Sequence, residues 1–337
     1  MRKTVVAFNR VPVDLLEPYA QEFEIIRLEG AGDDFNNQLD RVMPMAHGLI
    51  GGNRKFSRLQ IASAKNLQII SSISVGYDNY DVDALTEQGV LLTNTPDVLT
   101  ETTADLAFAL ILSTARRIPE LDRWTKTGNW VQATGEAQFG TDVHGKTLGI
   151  LGMGQIGSAI ARRGHFGFGM QILYSGRSRK LDIEHELGAR YVSKEELLGS
   201  SDFVCPMTPL TEETKNFIGA KEFQLMKRSA ILINVSRGPV VDEAALVRAL
   251  SAGEIRAAGL DVFVKEPMVR SPLFSLSNVV TVPHIGSATH ETRRSMAVRA
   301  IENLFCGLAG NQPRDLINSE AWDRRMVHKL TKNRVLQ

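Results

Sequence analysis

The first hundred residues alternate short, almost continuously apolar runs with polar, helix-patterned segments. "TVVAF", "EIIRL", "HGLIGG", "LQIISSIS" and "VLLTNT" each stop at turn-forming residues and read as strands. Strands that are apolar on both faces predict a parallel sheet with helices packed on either side. The pattern changes at "TTADLAFALILSTARRI" (102–118), which predicts a helix with Thr102 as N-cap and Asp105 three positions on, as in a capping box. Its middle is apolar all round, so burial on several sides is expected, as at a seam between domains or subunits. From there to about residue 144 the chain contains "TGNWVQATGEAQFGTD", which has Gly, Asn and two aromatics but no period, and reads as an extended loop or arm.

From residue 147 the alternation resumes with "TLGILG", "QILYS", "DFVCPM", "AILINVS", "AAGLDVF" and "VVTVPH". Helical patterns lie between most of these six runs, for example at 154–164, 193–200 and 241–252, and predict a second parallel sheet. A further helical pattern, "THETRRSMAVRAIENLFCGLAG", follows His284. The basic stretch "DRRMVHKLTKNRVLQ" then reads as a solvated or poorly ordered end.

A length of 337 residues exceeds what one core usually holds, which agrees with two domains. A net charge of +1 creates no basic field, so no nucleic-acid or membrane partner is expected. The longest apolar-rich stretch, "ADLAFALILS", is too short to span a bilayer, and "MRKTVVAFNR" lacks the apolar core of a signal peptide. Cys205 and Cys306 are far apart and lack CxxC spacing, which argues against a disulfide framework or a zinc site. The expectation is a cytoplasmic protein with no metal.

"TLGILGMGQIGSAIARRG" carries Gly152-x-Gly154-x-x-Gly157 between a strand and a helix, the context in which this spacing has meaning. The first glycine permits the tight turn, the second lets a pyrophosphate approach the backbone, and the third lets helix and strand pack closely. About twenty residues on, an acid would hold a free ribose 2′-hydroxyl. Ser175 stands there instead, followed by Arg177, Ser178, Arg179 and Lys180. Guanidinium groups donate charge-assisted bonds to phosphate, and serine repels none. The turn therefore predicts a grip on the extra phosphate of NADP(H), chiefly through Arg177, which is nearer the strand end; NADH remains possible. A solvated basic turn is the plainer alternative.

Ligands of open parallel sheets bind beyond the carboxyl ends of the strands. Arg237 follows "AILINVS", Glu266 lies just past "AAGLDVF", and His284 ends "VVTVPH". A guanidinium can bind a carboxylate and polarise a neighbouring carbonyl, an imidazolium can deliver a proton, and a carboxylate beside it keeps it charged. The set suits reduction of a 2-keto acid. Taken singly, each residue has an ordinary structural explanation as an exposed ion pair or a satisfied histidine.

"GILGMGQIGSAIARR", "INVSRGPVVDEAALVRAL", "AAGLDVFVKEP" and "PHIGSATHETR", with "SVGYDNYDVDAL" and "NTPDVLTETTADLAFALILSTARR" upstream, resemble the D-isomer-specific 2-hydroxyacid dehydrogenase family over roughly residues 45–315. The resemblance implies an α/β fold of two doubly wound parallel-sheet domains, with the active site in the cleft. The flavodoxin-like substrate domain would take 1–101 plus 289–337, and the Rossmann-like nucleotide domain 102–288. It also implies a homodimer in which the arm reaches the partner. The family's catalytic set falls on Arg237, Glu266 and His284. Its substrate loop falls on Ser74, Val75 and Gly76, and its cofactor contacts on Gly154, Gln155, Ile156, Val235, Asp261, His284 and Gly286, with Thr208 and Pro209 over the adenine side. A glutamate at 266 speaks against the formate-oxidising branch.

Within the family the chain is most similar to 2-ketogluconate reductases, some acting on the 6-phosphate, and to glyoxylate/hydroxypyruvate reductases. The sugar-acid reading is the first expectation, because Arg54 or Lys55 of "GGNRKFSR" could meet a distal phosphate; a solvated helix start explains them as well. A nucleotide-sensing corepressor is the alternative of another class. Pro206 in "CPMTPLT" departs from the family pattern and removes a backbone donor near a strand end.

Overall fold

The computed structural model describes residues 2–30 and 32–325, so the basic stretch lies outside the described residues from 326 onward. The chain divides into two compact units, one running to Leu99 and resuming at Thr289, the other spanning Thr100–Ala288.

In the first unit β1 (Lys3–Phe8), β2 (Phe23–Leu28), β3 (Ala46–Gly51), β4 (Ile69–Ser72) and β5 (Leu91–Thr93) form a parallel sheet in the order β2-β1-β3-β4-β5. This is a flavodoxin-like, doubly wound order. The strands bury their apolar runs on both faces, with Val5, Val6, Leu49, Ile50 and Ile69 fully enclosed. The helix His290–Leu308 returns from far along the chain to this sheet. There Ser71 Oγ donates to Ala300 O at 2.7 Å. A side chain at Gly48 would put its Cβ 2.8 Å from Leu304 Cδ1, so this close approach could take a larger residue only if the leucine shifted.

The second unit carries β6 (Thr147–Leu151), β7 (Gln171–Ser175), β8 (Arg190–Tyr191), β9 (Phe203–Pro206), β10 (Ile231–Asn234), β11 (Ala257–Leu260) and β12 (Val279–Thr281). They form a parallel sheet in the order β12-β11-β10-β9-β6-β7-β8. The sheet has seven strands where the sequence pattern predicts six. The extra one, β8, is two exposed residues at the edge, too short and polar to announce itself. The strand order reverses between β6 and β9, and the crevice at such a switch point is where doubly wound sheets take ligands. Pro206 costs the sheet little. Pairing with β10 covers only Phe203 and Val204, whereas pairing with β6 continues to Pro206, and Met207 N then donates to Leu151 O at 2.7 Å.

The expected helix over 102–118 is Thr100–Ala115, and the first part of the stretch expected to be a loop or arm is instead a second helix, Ile118–Lys126. Thr102 lies inside the first rather than capping it, and the Asp105 carboxylate is taken by Arg163 at 2.7 Å, so the capping box does not form. Arg117 breaks the run with a left-handed φ of 56°, and Pro119 sits in the first turn of the second helix, where a missing N–H does no harm. The Arg117 guanidinium pairs with Glu120 and donates to Ala137 O at 2.6 Å, tying down the start of a long irregular segment. That segment, 127–142, leaves Trp130, Val131 and Phe139 exposed. No helix among the described residues is long and apolar enough to cross a membrane, and no cluster of His, Cys, Asp and Glu among them could hold a metal ion.

Candidate active site

Because β10, β11 and β12 are parallel neighbours, the loops leaving their carboxyl ends share one edge of the sheet. The first loop is shaped by Asn234, itself 1% exposed. Its Oδ1 accepts from the Ser236 N–H at 3.1 Å and the Ser236 hydroxyl at 2.9 Å, and its Nδ2 donates to Arg237 O at 3.0 Å. These bonds fix the backbone from which the Arg237 side chain departs, and Nη1 of that side chain donates to Ser236 O at 2.7 Å. The next residue, Gly238, lies against the loop that leaves β11. An added Cβ would fall 1.9 Å from Phe263 C and 2.0 Å from its oxygen, so only glycine lets the Arg237 and Glu266 loops meet.

Glu266 accepts the Phe263 N–H on Oε1 at 2.9 Å and meets His284 Nδ1 through Oε2 at 2.5 Å. Burial opposes its ionisation. The hydrogen bond from His284, the Phe263 N–H and the nearby Arg237 charge prevail and hold its carboxyl below the usual range. Arg237 is thus within electrostatic reach of the Glu266–His284 pair. With Nδ1 committed to Glu266, Nε2 is the ring nitrogen left for a substrate.

His284 occupies the left-handed region, with φ 53°, a conformation a non-glycine residue keeps only when its surroundings over-determine it. Asp261, 1% exposed at the end of β11, supplies much of that determination. Its backbone oxygen accepts the His284 N–H at 2.9 Å, and its carboxylate accepts Ile285 N at 2.6 Å and Gly286 N at 2.9 Å. Burial pushes the Asp261 carboxyl up to about 6 despite these donors. Thr103, on the helix Thr100–Ala115, closes the arrangement by donating to Gly286 O at 3.0 Å. Asn234, Gly238 and Thr103 escape the sequence reading; an Asn two residues before a serine and an Arg-Gly pair are the weak signs they leave.

The glycine turn shows three different demands. Gly152 has φ 106°, and its Cβ would sit 2.8 Å from Met207 O. An added Cβ at Gly157 would fall 2.5 Å from Gly152 O, which marks the close helix–strand packing. Gly154 has open space around its Cβ position and caps the helix Gln155–Arg162 without any side-chain bond. The N–H groups of Gln155, Ile156 and Gly157 at that helix start have no intrahelical acceptor, so a side-chain-free cradle and three donors await an anion. The hydroxyl of Thr208, beside Gly152, is buried without a hydrogen bond. Pro209 follows it at the surface, and Val235 is buried at the end of β10. These residues fit a bound dinucleotide.

At the end of β7, Ser175 is half-buried and its backbone oxygen accepts the Gly152 N–H at 2.8 Å, which sets the basic turn beside the glycine turn. Arg177 and Ser178 are exposed. Arg179 is also exposed, but its guanidinium is paired with Glu184.

In the first unit the oxygens of Ser74, Val75 and Gly76 accept from Thr95 N, Asn94 Nδ2 and Ser74 Oγ, respectively. Arg54 lies over the Phe35 ring at 4.3 Å and donates to Asn36 Oδ1, which gives its charge an occupation within the unit.

A doubly wound sheet with a glycine turn at its switch point and an Arg, Glu, His edge defines the class: a nicotinamide-dependent oxidoreductase. Residues 108–286 match the NAD-binding domain of the D-isomer specific 2-hydroxyacid dehydrogenases. The chain is 49% identical over 321 residues to glyoxylate/hydroxypyruvate reductase B of Yersinia pestis (strain Pestoides F), covering 95% of this chain and 98% of that one. It is 48% identical over 324 residues to the protein of the same name in Escherichia coli (strain K12 / DH10B), covering 96% and 100%. The crystal structure of an NADPH-dependent glyoxylate/hydroxypyruvate reductase from Sinorhizobium meliloti, in complex with NADP and malonate, superposes with a TM-score of 0.83 at 32% identity, covering 95% and 98%. The chain belongs to the D-isomer specific 2-hydroxyacid dehydrogenase family and is an NAD(P)-dependent oxidoreductase acting on CH–OH groups. These relatives favour the glyoxylate/hydroxypyruvate alternative over the sugar-acid expectation.

Proposed function

We propose that this protein reduces glyoxylate and hydroxypyruvate to the corresponding 2-hydroxy acids, with NADPH preferred over NADH. The observation that carries the chemical reading is the 2.5 Å contact between His284 Nδ1 and Glu266 Oε2 at the edge that also bears Arg237. The bound nicotinamide would supply the hydride for the carbonyl carbon. His284 holds the proton for the carbonyl oxygen on Nε2, and Glu266 keeps the ring oriented through Nδ1. Arg237 binds the substrate carboxylate and polarises the carbonyl. In the same reading Ser74, Val75 and Gly76 are the substrate-loop residues, since their carbonyls are already bonded within the first unit and their N–H groups are the donors left.

NADPH preference rests on Ser175 in place of an acid and on the exposed Arg177. The names of the relatives support the small substrates, and the docking of Arg54 on Phe35 weakens its assignment to a distal phosphate. A homodimer that covers Trp130, Val131 and Phe139 belongs to the same reading. The test is a panel of kcat/KM values for glyoxylate, hydroxypyruvate, 2-ketogluconate and its 6-phosphate, with NADPH and NADH in parallel. Glyoxylate or hydroxypyruvate should lead with NADPH. A sugar acid ahead by about tenfold, or 1.4 kcal/mol in transition-state binding, would restore the other substrate class.

A further inference from the structure

The turn after β7 is held from beneath by side chains that the cofactor reading leaves unexplained. Tyr174, the last buried residue before the turn, is fully enclosed, yet its hydroxyl makes two short bonds. It donates to Glu184 Oε1 at 2.5 Å and accepts the Lys180 N–H at 2.6 Å. Arg179 meets the same carboxylate with both arms of its fork, Nε to Oε1 at 3.0 Å and Nη2 to Oε2. On the other flank Tyr191 of β8 donates to Gly176 O at 2.8 Å, and its ring lies 5.3 Å from that of Tyr174. Both ends of the segment Gly176–Lys180 are therefore tied to tyrosine hydroxyls, and its middle to the helix Leu181–Leu187 through Glu184.

We propose that Tyr174, Arg179, Glu184 and Tyr191 form a latch that presets this turn. Arg179 is then a positioning residue, and recognition of the ribose 2′-phosphate falls to Arg177 and Ser178. This rests on the NADPH reading above. A bidentate guanidinium–carboxylate pair fixes geometry as well as charge. If Arg179 turned to a phosphate it would leave Glu184, whose side chain is only 14% exposed, with the Tyr174 hydroxyl but no counter-charge beside a dianion. Kept in place, Arg179 neutralises that carboxylate and holds the turn in one conformation before the cofactor arrives, which lowers the ordering cost of binding. Arg177 is exposed, with no ion pair to any described residue, and is ready for the phosphate. Glu184 is held below the usual carboxylate range by Arg179 and Tyr174, so the latch stays closed at neutral pH.

The experiment measures dissociation constants for NADPH and NADH by nicotinamide fluorescence. It compares the full-length protein with Arg177→Ala, Arg179→Ala, Glu184→Gln, the Arg179→Ala/Glu184→Gln double variant and Tyr191→Phe. Arg177→Ala should weaken NADPH by about tenfold or more and leave NADH within about twofold. Glu184→Gln should weaken NADPH by about 3–10-fold at unchanged NADH affinity, and the double variant should be no weaker than that single change, because both break one device. Tyr191→Phe removes a single hydroxyl without threatening the fold and should repeat the NADPH-selective loss at about 2–3-fold. If Glu184→Gln binds NADPH as tightly as the parent or tighter, or weakens NADPH and NADH alike, the latch is wrong. An Arg179→Ala loss far larger than that of Glu184→Gln would mean that Arg179 touches the phosphate itself. If the parent shows no preference for NADPH and Arg177→Ala changes nothing, the cofactor reading fails and takes the latch with it. That outcome is distinct from a parent that prefers NADPH while Glu184→Gln leaves it untouched.

Discussion

Two stretches of the same sheet edge are built in opposite ways. Around Arg237, Glu266 and His284 the backbone does the positioning: Gly238 lets two loops touch, Asn234 and Asp261 gather N–H groups, and His284 is kept left-handed. Around Ser175–Lys180 the positioning comes from side chains, two tyrosine hydroxyls and one ion pair, on a turn that is otherwise exposed. The first construction tolerates little change because displacing a backbone moves several groups together. The second can be altered one interaction at a time, which suits a region that chooses between two cofactors differing by one phosphate. A reacting group must be held to fractions of an ångström, whereas a phosphate grip needs charge in roughly the right place.

The largest expected effect tests the catalytic half of that contrast. His284→Asn keeps a polar side chain at the left-handed position, a conformation asparagine accepts readily, but removes the proton donor. Steady-state turnover should fall by about 10²–10⁴-fold, the usual worth of a positioned general acid, with NADPH affinity within about twofold of the parent. Loss of turnover confined to tenfold would mean that another group delivers the proton.

Next in size is Gly238→Ala. The added carbon meets the backbone of Phe263, which cannot swing aside as a side-chain tip would. The loops must part, at roughly 1–3 kcal/mol of stability by denaturant unfolding, and turnover should drop by about 10–100-fold because Arg237 and Glu266 move with them. If both stability and kcat stay at parental values, the backbone-built description of this edge is mistaken.

How much of this is legible in the sequence follows the same division. The parallel arrangement of "AILINVS", "AAGLDVF" and "VVTVPH" forces their carboxyl ends to one edge, so the meeting of Glu266 and His284 needs no long-range information beyond strand direction. The glycine spacing is equally readable, since Gly152 answers a positive φ and Gly157 packs against Gly152 itself. What the pattern hides is tertiary. Gly238 looks like any loop glycine until Phe263 is seen against it, and Tyr174 looks like core until its hydroxyl is followed to Lys180 and Glu184. Arg179 reads as a free cation because Glu184, five residues on, lies in the next helix. The helix Ile118–Lys126 is missed because it starts directly after the first and has no buried residue to give it an apolar stripe, although Pro119 marks where a new helix can start.

The smallest of the three effects comes from the Glu266 charge. Glu266 sits below the usual carboxylate range because, against the cost of burial, the bond from His284, the Phe263 N–H and the Arg237 charge favour its ionised form. That charge is therefore lost only as the pH falls through a value below that of an ordinary carboxylate, and the pairing with His284 should hold on the acid side of the profile to correspondingly low pH. Glu266→Gln keeps the shape and the Phe263 bond but removes the charge, so kcat/KM should fall by about 3–10-fold, a smaller loss than in His284→Asn. Parental kcat/KM in a variant still binding NADPH normally would make Glu266 a structural neighbour of His284 rather than a group that positions it.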